Sequence, residues 1–121
     1  MKPKLKSIRT FIGSKNFKTS QSFYNDLGFT EKTISDTLSL FVYNDLSFYL
    51  QDYFVEEWLS NSMVLIEVDN VEDYWDYLTK LELDKKYSGI KIIPIQHNDW
   101  GKECMLIDPS GVLWHFAEFN K

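Results

Sequence analysis

The chain has 121 residues, of which 44% are apolar and 26% are charged, and its formal net charge is −5 at pH 7. This length and composition fit one globular domain, and the scattered lysines of an acidic chain do not form the basic patch that nucleic acid requires. No apolar run approaches the roughly 20 residues that cross a bilayer, so we expect neither a nucleic-acid nor a membrane partner.

The N-terminal segment and the cysteine content predict a cytoplasmic protein. Residues 1–6 are basic, but the strand-like pattern after them lacks the continuous apolar segment of a secretory signal peptide. The single cysteine, Cys104, excludes an internal disulfide. Because Cys104 lies in an apolar run, we expect a small buried thiol rather than a reactive one.

The first half of the chain predicts a strand, a helix and three further strands. Residues 5–12 alternate in polarity, as a half-buried strand does. Ser14 or Asn16 is placed to cap a helix over residues 15–27, and Gly28 is placed to end it. Three strand patterns follow, over residues 29–34, 38–43 and 46–51, with a turn at 44–45 between the last two.

The second half predicts the same order of elements. A strand pattern covers residues 63–68, and Asn70 is placed to cap a helix that extends to Leu81. A strand over 91–96 follows. The closing residues predict a hairpin, because two runs of strand-forming residues flank the turn sequence DPSG at 108–111.

Matching segments in the two predicted helices support an internal duplication. Residues 23–27 read FYNDL and residues 74–78 read YWDYL, and both lie in the helix of their half. We therefore expect an α+β chain that forms one domain from two βαβββ repeats, about 5–51 and 62–119, joined by a bridge at 52–61.

Three motifs carry a family resemblance that covers about residues 7–119. The segment SFYNDLGF at 22–29, the paired βαβββ pattern and the DPSG hairpin resemble the glyoxalase, bleomycin-resistance and extradiol-dioxygenase superfamily, also called vicinal oxygen chelate. The closing run, WGKE at 100–103, then DPSG, then His115-Phe116, is similar to the end of bleomycin-binding resistance proteins. The resemblance implies two paired modules that form a curved mixed sheet bearing a cleft.

The resemblance also implies where a metal ion would bind. Metal-dependent members use four ligands, and the matching positions fall on Arg9, Met63, His115 and a residue near Tyr49 or Gln51. A guanidinium, a thioether and one imidazole do not supply the three donors that a divalent ion needs. We therefore expect no metal and no other cofactor. We expect His97 to be a solvated residue in a polar loop, where it would not complete a metal site.

The resemblance also implies which side chains face the cleft, and their chemistry favours a small-molecule pocket. Aromatic and apolar walls with a few polar groups are typical of such pockets. The predicted ligand-binding residues are Trp100, His115, Tyr49, Glu67, Phe11, Met63 and Arg9. Two roles for His115 remain open: a ligand contact, or a core histidine bonded to a neighbour such as Glu67. Resemblance implies that Trp100 stacks on a planar ligand, although an ordinary core tryptophan fits the sequence equally well.

These features lead to a functional hypothesis with two alternatives. We expect a metal-independent protein that sequesters a planar or cationic compound, such as a bleomycin-type antibiotic, in clefts between the halves, and the resemblance implies that it is a homodimer. Phe54 and Trp58 in the bridge are expected to be exposed and available to a partner chain. One alternative is a diverged metal-dependent lyase or dioxygenase that uses His115 as a ligand or acid-base catalyst. The other is a stand-alone fold without a small ligand.

Overall fold

The first half folds into a four-stranded sheet, sheet A, with one helix against it. The computed structural model describes residues 1–121. The elements are β1 (Phe11–Gly13), α1 (Phe17–Leu27), β2 (Thr30–Ser35), β3 (Leu38–Tyr43) and β4 (Leu46–Gln51). The strand order is β1-β4-β3-β2. Strand β1 runs parallel to β4, whereas the other neighbours are antiparallel.

The second half forms sheet B with the same plan. A short helix in the bridge, α2 (Glu56–Ser60), leads to β5 (Met63–Glu67), α3 (Val71–Lys80), α4 (Leu83–Lys86), β6 (Lys91–Asn98), β7 (Gly101–Ile107) and β8 (Leu113–Phe119). The strand order is β5-β8-β7-β6. Strands β5 and β8 are parallel. In each sheet, the first strand of that half of the chain lies at one edge and runs parallel to the last.

Both long helices begin at an asparagine cap. The side chain of Asn16 accepts a hydrogen bond from the backbone of Thr19, and Asn70 does the same for Asp73. These caps provide partners for backbone N–H groups that have none inside the first helical turn. The buried stripe of α1 consists of Phe17, Ser20, Phe23, Tyr24 and Leu27, which fixes the face that the helix turns to the sheets.

The two sheets share one core, in which their inner faces meet. Phe48 of β4 and Trp114 of β8 are buried, and their rings lie 5.2 Å apart. Tyr24 of α1 packs against both rings, at 4.9 and 5.6 Å. Eighteen buried residues from both halves form a single cluster, so the halves are packed together through their inner faces.

The closing hairpin is held by the buried side chain of Asp108. Its Oδ1 accepts hydrogen bonds from the backbone of Ser110 and Val112, both at 2.9 Å. Its Oδ2 accepts a hydrogen bond of 2.5 Å from the hydroxyl of Tyr24, which in turn accepts one from Trp114 Nε1. Desolvation by burial raises the pKa of Asp108 above its usual value. The turn of the second half is thereby bonded to the helix of the first.

The predicted fold class is confirmed, with three corrections to the elements. The strand predicted over 5–12 is wrong for its first residues, because regular pairing starts at Phe11 and Ile8 is 98% exposed. His97 lies in β6 rather than in a loop, although its side chain is exposed. The short helices α2 and α4 were not predicted, since segments of four or five residues show too little periodicity. No helix is both long and apolar enough to span a membrane.

Candidate functional site

The candidate site residues lie on the outer faces of the two sheets. Successive side chains of a strand point to opposite faces, so Tyr49 lies on the face opposite Phe48, and His115 lies on the face opposite Trp114. Because Phe48 and Trp114 meet in the core, the faces that carry Tyr49 and His115 are directed away from each other. One chain therefore presents two separate half-sites.

The half-site on sheet A is aromatic and cationic. The rings of Phe11 and Tyr49 stack with centroids 4.9 Å apart. Arg9 donates hydrogen bonds to Ser47 Oγ at 2.8 Å and to the Tyr49 hydroxyl at 3.3 Å. The guanidinium also lies 5.8 Å from the centre of the Tyr49 ring. Of the predicted site residues, Tyr49 is thus in contact with both Arg9 and Phe11.

The half-site on sheet B is built around His115. Its Nδ1 lies 2.5 Å from Glu103 Oε1, and its Nε2 lies 3.4 Å from the sulfur of Met63. Asn98 donates a hydrogen bond of 3.1 Å to the other carboxylate oxygen of Glu103. A pocket of about 330 Å³ lies over these groups, with Trp100 among its walls. Met63, Trp100 and His115, all predicted site residues, therefore line one pocket.

Trp100 is positioned at the rim of this pocket rather than in the core. Its ring packs against Phe119 with centroids 5.1 Å apart, and its backbone oxygen accepts a hydrogen bond from the backbone of Asn120. The Asn120 side chain donates to the carbonyl of Asp99. The turn before β7 is thus fixed by the end of the chain. The indole is 38% exposed, which leaves part of the ring accessible to a planar ligand.

His115 bonds a neighbouring side chain, as one of the two sequence-based interpretations expected, but the neighbour is Glu103 rather than Glu67. The imidazole partner is Glu103, which is 9% exposed. Glu67 lies instead at a gap of about 700 Å³ between the edges of the two sheets, where Arg9 also lines the wall. The register of the closing hairpin would have identified Glu103 as the partner of His115. Met105 pairs with His115, so Glu103, two residues earlier, is a diagonal cross-strand neighbour of the histidine.

The residues present do not fit the divalent ion of the enzymatic superfamily members. Tyr49 lies on sheet A and Arg9 in the segment before β1, whereas Met63 and His115 lie on sheet B. No three His, Cys, Asp or Glu side chains converge, although oxygen and nitrogen donors are what such ions require. Cys104 is buried, and desolvation raises the pKa of its thiol to about 11, so it is not an activated nucleophile.

Aromatic side chains of the bridge lie on the surface, as predicted. Trp58 is 61% exposed and Phe54 is 38% exposed. Tyr53 packs against Trp58 with ring centroids 5.8 Å apart. On the strand that follows, Met63 is 65% exposed. Large exposed apolar side chains thus continue from the bridge to the edge strand of sheet B, which is a common property of surfaces that bind another protein chain.

Comparison with solved structures identifies the fold of the chain. No family model matches the sequence, and no curated protein matches it. Among solved structures, a bleomycin-binding protein complexed with bleomycin superposes with a TM-score of 0.80 at 18% identity, over 96% of this chain and 100% of that chain. The chain has the glyoxalase/bleomycin-resistance fold. The resemblance inferred from the sequence motifs is thereby confirmed at the level of the fold.

The glyoxalase/bleomycin-resistance fold is shared by binding proteins and enzymes among the matches. TnmS3, an antibiotic binding protein from Streptomyces sp. CB03234, has a TM-score of 0.74 at 15% identity, over 96% of this chain and 98% of that chain. The lactoylglutathione lyase from Agrobacterium tumefaciens has a TM-score of 0.69 at 14% identity, over 95% of each chain. Function must therefore be argued from the residues of the site.

Proposed function

We propose that this chain is a metal-independent binding protein that sequesters a planar or cationic small molecule, such as a bleomycin-type antibiotic. The observation that carries the proposal is the chemistry of the two outer faces. One face offers stacked aromatic rings and a guanidinium. The other offers an exposed indole beside an imidazole held by a buried carboxylate. Both faces suit a planar or cationic small molecule, whereas neither supplies the oxygen and nitrogen ligands that a catalytic divalent ion requires.

The bleomycin-bound neighbour supports the proposed ligand class. That protein was solved in complex with bleomycin, and it covers nearly the whole of this chain. The antibiotic-binding neighbour has the same fold. An aromatic group stacked on Trp100 would gain about 1 kcal/mol beyond the burial of its surface.

We propose further that the site is completed by a second copy of the chain. The Arg9 and His115 half-sites are directed away from each other within one chain, so a single copy does not enclose a ligand between them. A two-fold dimer that apposes sheet A of one copy to sheet B of the other creates two identical clefts. The exposed Trp58 and Met63 would be covered in such a dimer.

We also propose a domain organisation and a cellular location for the protein. Residues 1–121 form one domain from two βαβββ repeats, and the shared core of both halves supports this division. A cytoplasmic location is consistent with the single, buried, unpaired cysteine.

Titration with metal-free bleomycin tests the binding proposal. We expect saturable quenching of tryptophan fluorescence in the wild-type protein. The chain has four tryptophans, so Trp100→Phe identifies the reporter, and its quenching should be largely lost. Trp75→Phe, a change on α3 away from the pocket, is the control and should retain the signal. The absence of any saturable change in the wild-type protein refutes the proposal.

Mixing two inactive variants tests the shared cleft. Arg9→Ala and His115→Ala alter different half-sites, so each homodimer has two defective clefts. In a mixed dimer, one cleft contains both substitutions and the other contains neither. The two variants are unfolded together and refolded as a mixture, so that mixed dimers form. We expect one of the two clefts in each mixed dimer to bind bleomycin again. A monomer of 14.4 kDa in sedimentation, or no recovery on mixing, contradicts the shared cleft.

A further inference from the structure

The guanidinium of Arg9 is held on the outer face of sheet A by neutral partners only. Its Nε donates to Ser47 Oγ at 2.8 Å, and its Nη1 donates to the Tyr49 hydroxyl at 3.3 Å. The Nη2 group has no partner. Asp45 and Glu67 line the gap beside Arg9, yet no carboxylate of the chain forms an ion pair with it. Free N–H groups of a guanidinium bind an oxygen anion in a bidentate manner, so this face can take one.

The imidazole of His115 presents a donor to the half-site on sheet B. Its Nε2 lies 3.4 Å from the sulfur of Met63, and a thioether can only accept a hydrogen bond, so Nε2 carries a hydrogen. Two protonation states fit this contact. In one, an imidazolium also donates from Nδ1 to an ionised Glu103, and in the other, Nδ1 of a neutral ring accepts from a protonated Glu103. Nε2 is a donor in both states.

A ligand oxygen can replace the sulfur as the partner of this donor. The thioether is a weak acceptor, and Met63 is 65% exposed on a flexible side chain. The pocket wall has no free carboxylate that would compete for the hydrogen. Glu103 is its one acidic residue, and the two carboxylate oxygens already face His115 and Asn98, at 2.5 and 3.1 Å.

We propose that the cleft selects planar ligands whose edges carry hydrogen-bond acceptors, above all aromatic carboxylates. Arg9 would bind the acceptor from one wall and His115 Nε2 from the other, while Trp100 packs against the aromatic plane. This inference rests on the proposed binding function and narrows its ligand class, because a cation that has only N–H donors finds no free acceptor at either wall. A buried donor left without a partner opposes the binding of such a ligand.

The donor on His115 is measurable without any ligand. The chain has two histidines, so His97→Gln, a change at an exposed position, leaves His115 as the single imidazole. Long-range ¹H–¹⁵N NMR then shows which ring nitrogens carry a hydrogen. We expect a hydrogen on Nε2, in the neutral or the cationic ring. A ring whose Nε2 is bare overturns the proposal.

Two aromatic fragments of the same shape test the selection itself. Benzoate carries only acceptors, and benzamidinium carries only donors. We expect benzoate to bind at least about tenfold more tightly, the effect of one good charged hydrogen bond, as measured by shifts of the Trp100 indole signal. Arg9→Met should lower benzoate affinity about tenfold without weakening benzamidinium. The matched control is Lys18→Met, which removes the same charge from an exposed position of α1 and should retain the preference.

The outcomes separate this inference from the binding function on which it rests. Equal affinity for the two fragments, or tighter binding of benzamidinium, overturns the inference and leaves the binding function intact. So does bleomycin binding by a protein that binds neither fragment. A preference for benzoate that persists in Arg9→Met, or that Lys18→Met abolishes to the same extent, also overturns the inference. Binding of neither the fragments nor bleomycin refutes the binding function and the ligand class together.

Discussion

Removing the hydroxyl of Tyr24 should destabilise the protein without changing its packing. The hydroxyl donates to Asp108 Oδ2 at 2.5 Å and accepts from Trp114 Nε1 at 2.9 Å. In Tyr24→Phe the ring keeps its neighbours, but two buried polar groups lose their partner. A buried group left without a partner costs about 1–3 kcal/mol. Two such groups lead us to expect a loss of roughly 2–6 kcal/mol in the free energy of unfolding, a large fraction of a typical total.

Urea unfolding followed by circular dichroism measures this loss. The matched control is Tyr74→Phe, because the Tyr74 ring stacks on Phe116 at 4.3 Å while its hydroxyl has no hydrogen-bond partner. We expect the control to change the free energy of unfolding by less than about 0.5 kcal/mol. Equal effects of the two substitutions, or a loss below about 1 kcal/mol in Tyr24→Phe, would refute the argument from unpaired buried groups.

Three further predictions concern stability. The pKa of Asp108 is raised in the folded state, so its contribution to stability is present below the unfolded pKa of about 4 and is lost as pH rises through the folded pKa. As pH rises from about 4 through the folded pKa, urea titrations should show the free energy of unfolding of the wild-type protein falling relative to that of Asp108→Asn. A relative increase over this pH range would contradict the prediction. In Gly101→Ala the new Cβ would lie 2.2 Å from the Glu118 carbonyl oxygen, so we expect a loss of about 3 kcal/mol or more. Gly111→Ala meets no neighbour and has only its φ of +102° to accommodate, so about 1 kcal/mol is expected; similar melting temperatures for the two variants would exclude the clash. Asn16→Ala removes the cap of α1 and should cost about 1 kcal/mol in urea unfolding, whereas an unchanged value would show that the cap does not stabilise the helix.

The elements with a clear hydrophobic period could be predicted from the sequence. The bounds of β3 and β4 agree with the sequence prediction, because the turn at Asn44-Asp45 separates two short runs rich in strand-forming residues. Residues 5–10 also alternate, yet a strand requires a hydrogen-bonded neighbour. Only the carbonyl of Thr10 continues the pairing, where it accepts from Tyr49. Polarity patterns do not contain that information.

The sequence predicted which site residues lie together in each half of the chain, but not how the two groups are oriented relative to each other. Arg9, in the segment that leads into β1, contacts Tyr49, and Met63 contacts His115 across the adjacent strands β5 and β8. The sequence did not indicate that these faces are directed apart. Both sides of β8 carry apolar residues, so the pattern does not show which side meets the other half of the chain. The role of Glu103 depends on a diagonal contact across two strands, which requires the hairpin register.

The turn of the closing hairpin links the two halves of the chain. Ser110 accepts a hydrogen bond from the backbone of Lys15, just before α1, and Asp108 accepts one from Tyr24 of α1, so a loop of the second half is bonded to the helical region of the first. Neither half has all of its interior partners within its own residues. A chain divided at the bridge should therefore yield two incomplete pieces, and loss of order at either end should spread through the entire molecule in one cooperative step.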